Sequence, residues 1–86
     1  MIIFSVTRKG FKELEPIIKS GKYPVWIGGN VLSEEEVEAV RDENVSLTNF
    51  SYQIYPTDKE ALEEALCTIA EHHPKERVWC ECQPKI

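Results

Sequence analysis

Three groups of residues in this sequence carry side chains or backbone able to do chemistry. The first is Thr7-Arg8-Lys9-Gly10, a basic cluster ahead of a helical segment, with Lys12 close behind. Cations beside a helix N-terminus attract a phosphate or carboxylate, because unpaired backbone N–H groups point out of the first turn. No glycine fingerprint of the P-loop or dinucleotide kind accompanies the cluster, and a solvated turn with incidental charge accounts for the same residues. The second group is Gly28-Gly29-Asn30. Glycines there let the chain turn sharply or let a ligand approach the backbone closely, and turn geometry alone also explains the pair.

The third group holds the soft ligands and thiols: Cys67, His72, His73, Cys80 and Cys82. Imidazole and thiolate together suggest zinc. The histidines, however, end a helix at the amino edge of the expected sheet, and the following strand climbs at ~3.3 Å per residue, lifting Cys82 roughly 15 Å away. No metal and no cofactor is therefore expected. A cationic imidazole at a helix C-terminus is favoured by the helix dipole, which explains the histidines without a ligand. Cys67 lies mid-helix beside Glu63, Glu64 and Glu71, the wrong surroundings for a thiol that must lose its proton. Cys82 becomes a nucleophile candidate if Arg8 or Lys9 approaches it, although no general base accompanies it.

Composition narrows the classes of partner. The chain has 86 residues, 42% apolar and 29% charged, which fits one globular domain over residues 1–86. A net charge of −5 opposes nucleic-acid binding and adsorption to anionic membranes, both of which need a basic face. No apolar run approaches the ~20 residues of a membrane span, and the start lacks the basic region of a signal peptide. An odd count of cysteines without a secretory address predicts reduced thiols in the cytoplasm. The run of Glu34, Glu35, Glu36, Glu38, Asp42 and Glu43 reads as a solvated helix face, with a dock for a basic protein as the alternative.

The elements that must position these groups follow from periodicity. Residues 2–6 and 25–27 are continuous apolar runs, the mark of strands covered on both faces. Phe50, Tyr52 and Ile54 alternate with polar neighbours, which predicts an edge strand with one wet face. Residues 77–82 make a fourth, mixed strand. Between them lie three helices. Phe11, Leu14 and Ile18 share a face, with Pro16 predicting a kink or a late start. Ser33 with Glu36 and Thr57 with Glu60 each predict a capping box, and Leu32 can staple onto Val37. Leu62, Ala65, Leu66 and Ile69 form the third stripe, which Pro74 stops. Trp26 and Trp79 are expected core anchors on either side of the sheet.

Alternating strands and helices imply an α/β fold with a small, mainly parallel four-stranded sheet. The doubly apolar strands belong in the centre, giving the order 3-2-1-4. Right-handed crossovers then put the first two helices on one face and the third on the other. Ligands in such sheets favour the carboxyl ends of strands where the chain reverses direction, here between strands 1 and 4. The rim of that crevice would comprise Thr7, Arg8, Lys9, Gly10, Gly28, Gly29, Asn30 and Cys82.

Fold analogy supplies no function. No catalytic residue set is evident, so the expectation is a small cytoplasmic interaction or regulatory module, acting as a homodimer through Phe50, Tyr52 and Ile54 on the edge strand at residues 45–55. The alternatives are a binder of a small anion, such as a nucleotide or phosphorylated metabolite, at the crevice, and a thiol-dependent enzyme using Cys82.

Overall fold

A computed structural model describes residues 1–81. The elements alternate along the chain as β1 (Ile2–Ser5), α1 (Arg8–Ile18), β2 (Val25–Ile27), α2 (Glu34–Asp42), β3 (Leu47–Asn49), α3 (Lys59–His72) and β4 (Val78–Cys80). All strand pairs are parallel and the order is β3-β2-β1-β4. Ile3 sits opposite Val25 on one side and Trp79 on the other. No helix among the described residues is long and apolar enough to cross a membrane.

The sheet separates two apolar layers. Ile3, Val25, Ile27 and Leu47 face α1 and α2, where they meet Phe11, Ile18, Val37 and Val40. Ile2, Phe4 and Trp26 face α3, where they meet Ala65 and Ile69. This is the segregation that right-handed crossovers impose on the strand order. Each large side chain removed from water in this way contributes about 1.5–3 kcal/mol before chain entropy is charged against it.

Helix starts follow local chemistry. Ser33 accepts from the Glu36 N–H while the Glu36 side chain accepts from the Ser33 N–H, the reciprocal box the spacing predicts. Thr7 caps α1 through the Gly10 N–H. The expected late start of α1 does not occur: Thr7 caps a helix that begins at Arg8, and Pro16 stands inside it near the end at Ile18, where it forgoes the N–H bond to Lys12 O without breaking the helix.

Three expectations need correcting. The cap of α3 is Asp58, which accepts from the Ala61 N–H at 3.1 Å, in place of the Thr57–Glu60 box. Aspartate caps at least as well as threonine, and its charge adds a favourable dipole interaction. The third strand is Leu47–Asn49, upstream of the expected alternation. After the Phe50 N–H donates to Ile27 O at 2.9 Å, the chain turns over the end of β2 and Tyr52 O accepts from the Gly29 N–H at 2.9 Å. Trp26 is buried, but Trp79 is 37% exposed, because β4 is an edge strand whose α1 side opens onto a groove.

Candidate functional site

The carboxyl ends of β1 and β4 meet where the sheet order reverses, and a carboxylate occupies the junction. Ser5 is the one buried polar side chain among the described residues, and a hydroxyl so placed must find a partner. It donates to Glu81 Oε1 at 2.8 Å. The same oxygen accepts from the backbone N–H groups of Val6 at 2.9 Å and Thr7 at 3.0 Å. Thr7 Oγ1 donates to Glu81 Oε2 and accepts from the Gly10 N–H at 3.0 Å, which caps α1. A methyl group added at Gly10 would overlap the Glu81 carboxylate, so glycine makes the space the carboxylate fills.

Two opposed effects act on this carboxyl. Burial pushes its pKa up, while hydrogen bonds from Thr7, Ser5 and Val6 favour the charge. Together the hydrogen bonds win and hold Glu81 below the usual carboxylate range. A groove beside it is lined by Thr7, Lys9, Gly10, Glu13, Leu14, Trp79 and Glu81.

Arg8 faces elsewhere. Its guanidinium donates to both oxygens of Glu36 at 2.7 and 2.5 Å, a bidentate pair across to α2. With the Ser33 N–H added at 3.0 Å, that pairing lowers the Glu36 pKa to about 2. The carboxylate in turn raises the Arg8 pKa.

The glycine pair lies next to this junction and is spent on backbone contacts. Gly28 N–H donates to Ser5 O at 3.1 Å, while Gly29 lies against the carbonyls of Phe50 and Tyr52. Asn30 is exposed. Of the expected rim, Thr7 and Gly10 are brought together at the Glu81 seat, Lys9 lines its groove, Arg8 pairs with Glu36, and Gly28 and Gly29 are engaged by backbone. Cys82 lies outside the described residues. Phe50 and Ile54 point into the α3-side core and only Tyr52 of that trio reaches the surface.

Glu81 and Ser5 were missing from the expected site. Their signal was a hydroxyl in an otherwise apolar buried strand, which implies a polar partner at the neighbouring strand's end. The histidines pack their rings on Trp26, with centroids 5.4 Å (His72) and 6.1 Å (His73) away. His72 Nδ1 lies 2.9 Å from Thr68 O, and His73 Nδ1 lies 3.4 Å from Glu76. Among the described residues no three His, Cys, Asp or Glu side chains are grouped to hold a metal ion. Cys67 is exposed on α3 among Glu60, Glu63, Glu64 and Glu71. Comparison with protein-family models, curated proteins and solved structures finds no match for this chain.

Proposed function

We propose that this chain is a small non-catalytic interaction module that works in the cytoplasm as a homodimer. The observation that carries the proposal is the turn after β3. Phe50 and Ile54 anchor it from within, and Tyr52 and Tyr55 stand 43% and 55% exposed on its outside. Tyrosines held on a rigid support supply contact area at small entropic cost, which is why they recur in protein interfaces. Side chains, not strand addition, would make the contact. Arg41 donates to Leu47 O at 3.0 and 2.9 Å, capping a carbonyl of the edge strand that a second chain would need. The donors at the β1–β4 junction are engaged with Glu81, which weighs towards an interaction role. The exposed Cys67 thiol suits a reducing compartment.

Sedimentation equilibrium over a wide concentration range tests the dimer. The unmodified chain should associate reversibly, and Tyr52→Ser with Tyr55→Ser should weaken association by about tenfold or more. A monomer at every concentration, or a dimer indifferent to both changes, refutes the proposal.

One observation favours a second reading, that of a small-anion binder: the seat at the β1–α1 turn already holds a carboxylate. Glu81→Ala vacates that seat. Inorganic phosphate should then shift the Val6 and Thr7 amide resonances saturably, and more strongly than in the unmodified chain. Amides unmoved by phosphate in this variant would eliminate the reading.

A further inference from the structure

The edge strand β4 is outermost in the sheet and, among the described residues, pairs with β1 alone. It is three residues long, with Val78 and Cys80 only partly buried and Trp79 37% exposed. Short edge pairings are marginal without further support. At its ends, Ile2 N–H donates to Arg77 O at 2.7 Å and Glu81 N–H to Phe4 O at 3.0 Å. The Glu81 side chain then adds four bonds to residues 74 to 76 positions away, all on Ser5, Val6 and Thr7. Bonds to an ionised acceptor are roughly twice as strong as neutral ones. Glu81 thus adds four charge-assisted bonds at the carboxyl end of β4, beside its pairing with β1 and the packing of Val78 and Cys80 on the core.

From this geometry we propose that Glu81 is a latch: seated and charged, it fastens β4 to the β1–α1 turn, and neutralised or unseated, it lets β4 and that turn open as a unit while β1, β2 and β3 stay paired. Gly10 supports the assignment independently. Glycine is a poor helix former, yet it stands in the first turn of α1, where a side chain would overlap the carboxylate. Opening would uncover the β1 edge, a strand buried on both faces, and an uncovered edge is a template for another chain. The device is independent of the tyrosine surface proposed above.

The groups facing the carboxylate are Ser5 from β1, the Val6 and Thr7 N–H groups and Thr7 hydroxyl from the turn, and Lys9 and Glu13 from α1, with Trp79 beside it on β4. Lys9 and Glu13 carry opposite charge, and Arg8 is committed to Glu36, so the four donors dominate. They keep the folded-state pKa of Glu81 depressed. Its stabilisation is therefore complete above the unfolded value and lost as pH falls through the folded one. The latch is closed at neutral pH and opens in acid.

Amide hydrogen exchange on the full chain tests the latch. With Glu81→Gln, the amides of Val6, Thr7 and residue 81 should exchange about tenfold faster or more, while those of Val25 and Phe50, bonded across β2 and β3, keep their protection. Gly10→Ala should give the same pattern with the carboxylate intact. In the unmodified chain, the Val6 and Thr7 amide shifts should titrate together, with one inflection below the usual carboxylate range. Uniform acceleration across the sheet, unchanged exchange in both variants, or Val6 and Thr7 shifts that stay constant through acid would overturn the proposal. The titration needs no variant, so constant Val6 and Thr7 shifts overturn the proposal even if a substituted chain does not fold, and exchange of the unmodified chain in acid, faster at Val6 and Thr7 than at Val25 and Phe50, reads the opening itself.

Discussion

The carboxyl ends of β1 and β2 occupy equivalent places in the fold and are closed by opposite means. Each strand leads through a turn into a capped helix, with Thr7 as one cap and Ser33 as the other. At β1 the closure is a charged side chain brought from β4, and four donors converge on its carboxylate. At β2 the closure is main chain on main chain. Gly29 N–H donates to Tyr52 O at 2.9 Å, and Ile54, fully buried, lies over Gly28. A seal made of charge depends on protonation, and crowding unseats it by swinging the flexible carboxylate away. A seal made of backbone contact ignores pH and tolerates almost no added volume. Neighbouring strands in one small sheet therefore fail under different insults.

The largest expected effect is steric and belongs to β2. A Cβ at position 29 would lie 2.8 Å from both Phe50 O and Tyr52 O. Neither oxygen can swing away, because both are backbone. Gly29→Ala should cost about 1–3 kcal/mol, the usual range for overpacking, read as a lower urea midpoint at unchanged slope. The loss should be the same at pH 7 and at mildly acidic pH, since no titrating group forms this seal. A neutral Gly29→Ala would mean that residues 50–52 do not close the end of β2, and the contrast with β1 would collapse.

The two seals also differ in how far the sequence discloses them. The strand order was legible, because residues 2–6 and 25–27 are apolar without alternation and so had to be central. The box at Ser33 and Glu36 was legible because its parts are three residues apart. Position within the third strand was not. Val45 and Leu47 alternate as well as Phe50, Tyr52 and Ile54 do, and local period cannot say where the chain leaves the sheet. A contact with Gly29, more than 20 residues away, decides it. Thr57 and Asp58 are adjacent cap formers, and neighbouring candidates differ by tenths of a kcal/mol, about the resolution of propensity. At β1, the cationic turn drew attention to the correct corner, but the anion that fills it comes from the same chain. Ser5 was the overlooked clue.

Arg8 joins the two corners, and breaking that link gives the smallest effect. The guanidinium sits at the start of α1 but binds Glu36, the residue that completes the cap of α2, and lies 3.4 Å from Val31 O in the turn after β2. The pair is exposed, so side-chain entropy and screening leave it little net influence on stability. Its influence on protonation is larger. Glu36 is held at about 2, first by the Arg8 hydrogen bonds and next by the Ser33 N–H. Arg8→Ala should therefore raise the Glu36 pKa yet leave it below the usual carboxylate range, because the Ser33 bond survives, as carboxyl NMR shifts through an acid titration would report. The sign is fixed by linkage. A depressed folded pKa means stabilisation present above the unfolded value and lost as pH falls through about 2, so removing Arg8 moves that loss to higher pH. If Glu36 still titrates near its original position in Arg8→Ala, the cap of α2 alone sets its charge, and the two corners are electrostatically independent. If it rises while the Val6 and Thr7 amides keep their own titration unchanged, Arg8 links the helices without touching the carboxylate seat.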